Sequence, residues 1–139
     1  MKSSILRTLV TLSLSAALSP SALMAQSQMC AKIPFSFTVG TQSFAPGDYC
    51  ISQKVPSVLE IRGAYDRSAI VAMTTPGEKS KKAGVVVLTF NAYGEGYFLS
   101  EVSIDSQGWH LLRSPVEKEL IAKRAPLHPV VVTAALSSQ

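Results

Sequence analysis

The side chains able to do chemistry in this 139-residue chain are few and scattered. His110 and His128 stand 18 positions apart, and neither has a second ligand close to it in sequence. His-x-His, His-Glu-x-x-His and Cys-x-x-Cys spacings are missing, so the usual zinc-holding patterns are not present. Glu95 and Glu101 are the one carboxylate pair worth weighing, because two acids flanking a cleft can hydrolyse a glycosidic bond. Glu95 falls in a turn, where water holds its charge, and Glu101 reads better as a cross-strand ion partner worth under about 1 kcal/mol. No Gly-x-Gly-x-x-Gly, Walker loop or Gly-x-Ser-x-Gly elbow occurs. Gly94-Glu95-Gly96 has the composition of a hairpin turn. These spacings predict no enzyme, no cofactor and no metal.

What remains is binding chemistry. Tyr65, Tyr93, Tyr97 and Trp109 are candidate contacts to a ligand or partner, since aromatic side chains carry contact area at low entropy cost; packing over the ends of a small barrel accounts for them equally well. Lys79, Lys81 and Lys82 form a basic loop, either a solvated one or one that touches anionic envelope polymer or lipid headgroups.

The elements that must position these residues begin after a leader. Lys2 and Arg7 precede an uncharged apolar run from Leu9 to Leu18, then Pro20, then Ala-Leu-Met-Ala ending at Ala25. Residues 1–25 have the layout of a secretory signal peptide cut after Ala25. The run is short of the roughly 20 residues a spanning helix needs. Without the leader the chain is 114 residues, 139 less 25, and 11 basic residues face 9 acidic ones. That small excess does not point to nucleic acid, which wants a clustered patch. The expected location is periplasmic or secreted, with no integral membrane span in the mature chain.

Ile33, Phe35, Phe37 and Val39 alternate with Pro34, Ser36 and Thr38, which is strand periodicity with one apolar face. A returning strand over 48–54 would pair with it around a loop centred near residue 43. In that register Cys50 lies opposite residue 37, and Cys30 lies on the order of 23 Å further along. Disulfide bonding needs Cα atoms within about 7 Å, so the reading expects Cys30 and Cys50 to stay unlinked. Further strands are expected over 58–62, 69–75, 84–91 and 97–104. The run Gly-Val-Val-Val-Leu-Thr-Phe-Asn from Gly84 suits a central strand buried on both faces. Phe98, Val102 and Ile104 are placed on one face of the next strand.

Ser114-Pro115-Val116-Glu117 opens a helix. The Ser114 oxygen can accept from the third helical N–H, Glu117 can reach back to the Ser114 N–H, and proline suits the first position. Val116, Leu120 and Ile121 make its apolar stripe, and Pro126 ends it near Arg124. The expected architecture is all-β, a small antiparallel barrel or sandwich of six to seven strands with one C-terminal helix. It divides as leader 1–25, β domain with helix 26–125, and apolar tail 126–139.

Ile33-Pro34-Phe35-x-Phe37-x-Val39-Gly40, Pro46-Gly47-x-Tyr49 and Tyr93-Gly94-x-x-Tyr97-Phe98-Leu99-x-Glu101-Val102 together resemble a family of small exported bacterial β-rich proteins of uncharacterised activity. The resemblance covers most of residues 32–124, and its motif residues are apolar, Gly and Pro. It implies an architecture and no reaction. The expected function is a non-enzymatic binding or structural domain of the cell envelope. The alternatives are a small envelope hydrolase using a carboxylate or histidine, and an assembly subunit using a sheet edge or the apolar tail.

Overall fold

The computed structural model describes residues 28–135. The leader and its cleavage point at Ala25 lie outside the described residues, as do residues 136–139. The described chain is mostly strand, with one short helix. In order come β1 (Met29–Ile33), β2 (Phe37–Val39), β3 (Gln42–Phe44), β4 (Gly47–Val55) and β5 (Val58–Gly63). Then follow β6 (Ala69–Pro76), β7 (Val85–Tyr93), β8 (Gly96–Ile104), β9 (Gln107–Leu111), α1 (Pro115–Ala122) and β10 (Leu127–Ala135).

All-β is therefore right, but the described residues hold ten strands rather than six or seven. They form one open mixed sheet, not a closed barrel. The path runs β1-β4-β5-β6-β9-β8; β8 also bonds β7, and β7 bonds β10. β1 and β10 end the sheet close to each other without ladder pairing. Every pairing is antiparallel except a single parallel bridge, Thr38 to Phe98, that attaches β2 to β8. β6 changes neighbour part-way, pairing β5 through Ala69–Met73 and β9 through Thr74–Pro76. The expected apolar tail supplies β10, nine residues laid along β7.

The N-terminal register differs from expectation. β1 pairs β4 directly, with Ile33 opposite Gly47 and Cys30 opposite Cys50. The two cysteines are disulfide-bonded, their Cα atoms 3.9 Å apart, which corrects the expectation of unlinked thiols. The alternating run from residue 33 is not one strand. Pro34 has no N–H to give to a ladder, and the chain leaves the β1–β4 pair there. It then makes its own small hairpin, β2 with β3, about Gly40, whose φ is 59°. Glycine adopts that left-handed backbone without a Cβ clash.

Alternation still decides what is buried. Phe37 and Val39 enter the core while Thr38 is half-buried. Phe37 is a hub: its ring centroid lies 5.2 Å from Phe44, 5.0 Å from Tyr49 and 5.5 Å from Phe90. Those contacts join β2 to β3, β4 and β7 at edge and stacked geometries that aromatic pairs favour. The same core takes Leu59 and Ile61, Val86 and Leu88, Val102 and Ile104, and Trp109.

Two further expectations are corrected. β7 is not buried on both faces; Val86, Leu88 and Phe90 point into the core, and Val85, Val87 and Thr89 are half-buried outside. On β8 it is Leu99, not Phe98, that joins Val102 and Ile104 in the core. The cause is a bulge. Phe90 pairs Leu99 while Thr89 pairs Glu101, so Ser100 is an extra residue and its hydroxyl donates to the Thr89 carbonyl at 2.9 Å. One extra residue reverses the parity of everything before it.

Parity is directly testable. Phe37→Ala removes a buried ring and should cost about 3–5 kcal/mol. Thr38→Ala should cost under about 1 kcal/mol. Urea melts of both variants and the parent measure this; equal losses would contradict the one-sided burial of β2.

Candidate functional site

The four candidate aromatics do not share a surface. Tyr65 is 91% exposed in the β5–β6 loop. Tyr97 is half-buried and stacked on Phe35 at 4.2 Å. Trp109 belongs to the core. Tyr93 is buried, its ring 5.9 Å from Phe98.

The carboxylate pair is also dispersed. Glu95 is exposed in the β7–β8 turn. Glu101 is half-buried; its Oε1 accepts from the Glu78 N–H at 3.2 Å, and its Oε2 lies 3.9 Å from His110 Nδ1. Glu101 thus holds the basic loop against β8 and β9. That loop is seated tightly, since a Cβ on Gly108 would run into the Glu78 carbonyl. No group of three or more His, Cys, Asp or Glu that could hold a metal occurs among the described residues.

A shallow hollow of about 130 Å³ lies on the outer face of β4 and β5, lined by Gln28, Cys50, Ser52, Lys54, Glu60 and Arg62. Glu60 contacts Lys54 Nζ and Arg62 Nη2 at 2.8 Å each, and hydrogen bonds from Lys54 and Arg62 hold its carboxyl below the usual range. Both cations there are already engaged by the one carboxylate.

The surface around α1 is different. Ser114 caps the helix as expected, its Oγ accepting from the Glu117 N–H at 3.1 Å, with Pro115 behind it. At the other end the Arg124 N–H donates to the Ile121 carbonyl and the Ala125 N–H to the Leu120 carbonyl, each at 3.0 Å. With Arg124 at φ 54° this is a Schellman close, though arginine stands where glycine is usual. Glu117 does not reach back to the Ser114 N–H. It is 2% exposed and turned to the sheet, where Oε1 accepts from Asn91 Nδ2 at 2.8 Å and from the Tyr93 hydroxyl at 3.3 Å.

The helix is therefore clasped by a carboxylate; of its apolar stripe Leu120 is half-buried and the other two residues are exposed. Val116 is 56% and Ile121 38% exposed. Leu112, Leu127 and Val131 are exposed on the flanking segments. In the sequence, Val116 and Ile121 are placed in a stripe to be buried and Glu117 in the capping box, and Leu112, Leu127 and Val131 are not singled out. The signal for Glu117 was there: it sits three and four residues before Leu120 and Ile121, on the face that meets the sheet.

Burial, then the Glu117 charge and hydrogen bond, hold the Tyr93 phenol above its ordinary value, partly offset by Arg113. Burial raises Tyr49 as well. A raised folded pKa gives stability that is complete below the unfolded value of about 10 and lost as pH rises through the folded one. The urea midpoint should therefore fall above about pH 10, and Tyr93→Phe should shallow that fall; an unchanged alkaline slope would refute the assignment. Ser114→Ala should cost roughly 0.5–2 kcal/mol by the same melts, and a silent variant would show that the cap does not hold α1. Comparison of the chain with protein-family models, with curated proteins and with solved structures found no match.

Proposed function

We propose that the chain is an exported, non-enzymatic interaction domain of the cell envelope. The observation that carries this reading is the set of exposed aliphatics around α1 and along β10: Leu112, Val116, Ile121, Leu127 and Val131. Apolar side chains grouped in solvent mark a docking surface more often than a catalytic one. The Cys30–Cys50 link supports export, because disulfides persist in oxidising compartments. The hydrolase reading is weakened by Glu101, whose carboxylate is already engaged with the Glu78 N–H.

One observation favours an assembly subunit as a second reading. Among the described residues Ala69–Met73 of β6 has a ladder partner on the β5 side alone, its residues are uncharged, and Val71 and Met73 are exposed. Such an edge can accept an added strand.

The test is made on protein taken from the envelope fraction. Its sequence should begin at or near Gln26, and thiol titration without reductant should find no free cysteine. Reduction should then cost about 3 kcal/mol of stability for a link spanning 20 residues. Cross-linking in cells should capture a partner that Val131→Asp loses. A chain that keeps Met1 in the cytoplasm with both thiols free would overturn the proposal.

A further inference from the structure

We propose that the face bearing α1 docks on an anionic phospholipid bilayer, an inference that rests on the exported-domain reading and names its partner. Leu112, Val116, Leu127 and Val131 are between 48% and 58% exposed. Arg113, Lys118, Lys123 and Arg124, all exposed, lie between Leu112 and Leu127 in the sequence. The acids of the same segment are Glu119, which is exposed, and Glu117, whose carboxylate is turned away onto Asn91 and Tyr93. The exposed charge between Leu112 and Leu127 is thus four positive against one negative. That exceeds the net of two positive for the whole chain without its leader.

Aliphatic side chains beside cations match the chemistry of a bilayer surface. The aliphatics enter the boundary of the acyl chains, and the cations meet the headgroup phosphates. Val116 is free to do this because it lies about 100° round the helix from Glu117, the residue that is turned to the sheet. No helix among the described residues is long and apolar enough to cross a membrane, so the contact is peripheral.

The other basic cluster lacks the second half of this chemistry. Lys79, Lys81 and Lys82 lie in the loop before β7, where the Gly84 N–H donates to Asp105 Oδ1 at 2.7 Å. Asn91 and Tyr93, which receive α1, are at the far end of the same strand. No large exposed aliphatic stands between Gly77 and Val85. That loop offers attraction without insertion, and it supplies a matched control.

The experiment is flotation of the processed chain, purified from cells, with phosphatidylcholine vesicles that contain or lack phosphatidylglycerol. Binding should require phosphatidylglycerol and weaken as salt rises. Lys123→Glu with Arg124→Glu should reduce partitioning by more than about tenfold. Val116→Ser with Leu127→Ser should reduce it by roughly five- to tenfold while the melting profile is kept. Lys79→Glu with Lys81→Glu, the same charge change at the far loop, should alter it less than about twofold. Absence of flotation, equal flotation on phosphatidylcholine alone, or an equal loss from the loop variant would overturn the proposal. A processed chain that never floats yet captures a protein through Val131 would sink the lipid assignment and leave the interaction domain standing. A chain retained in the cytoplasm would sink both.

Discussion

Placing β1 directly against β4, with Cys30 opposite Cys50, fixes the geometry of the N-terminal half. Once Ile33 faces Gly47, residues 34–46 must leave the pair and return to it within a short span. They do so as the β2–β3 hairpin, which puts Phe37 where it meets Phe44, Tyr49 and Phe90. The hairpin then reaches β8 through one bridge at Thr38. The disulfide, the hairpin and the aromatic hub are thus consequences of one register. Among the described residues β1 has no other ladder partner, so the covalent link ties an otherwise half-held edge strand to the sheet.

Three carboxylates show how burial sets the worth of a polar contact. Glu60 lies on the outer face between Lys54 and Arg62, in reach of water, and ion pairs of that kind contribute little. Glu101 is half-buried and trades its contacts for the position of a loop. Glu117 is shut away, so each hydrogen bond it accepts is on the order of 1.5–3 kcal/mol, and losing its partners would strand a charge. Thr74 is the opposite case, a buried hydroxyl whose Oγ1 has no partner among the described residues, at the point where β6 changes neighbour.

Local signals were legible in the sequence and long-range ones were not. Period-two alternation placed Phe37 inside, and Ser114-Pro115 placed the start of α1, because both depend on residues a few positions apart. Pro34 stood in plain view, yet only the choice of β4 as the partner of β1 shows that it ends a strand. The bulge at Ser100 has no sequence mark; through the pairing with Thr89 and Phe90 it puts Leu99 in the cluster of Val102 and Ile104, while Phe98 is buried against Tyr93 instead. Of the candidate contacts, only Tyr65 is open to solvent, since hydrophobic aromatics serve core and surface alike and type does not distinguish them. The aliphatic face of α1 was read as a stripe to be buried; what the sequence does not reveal is that a glutamate inside that stripe takes over the docking.

That substitution has a structural logic. Burying Val116 and Ile121 fully would be worth about 1.5–3 kcal/mol each, comparable to the pair of charge-assisted bonds from Asn91 and Tyr93. Apolar burial is non-directional, and a helix held by it can roll or slide by a turn at small cost. Hydrogen bonds from two different side chains of β7 to one oxygen of Glu117 fix the rotation of α1 about its own axis. Ser114 and the Schellman close fix its two ends. A helix located in this way no longer needs its aliphatics for attachment, so they can be presented to another surface at a defined angle alongside Lys118, Lys123 and Arg124.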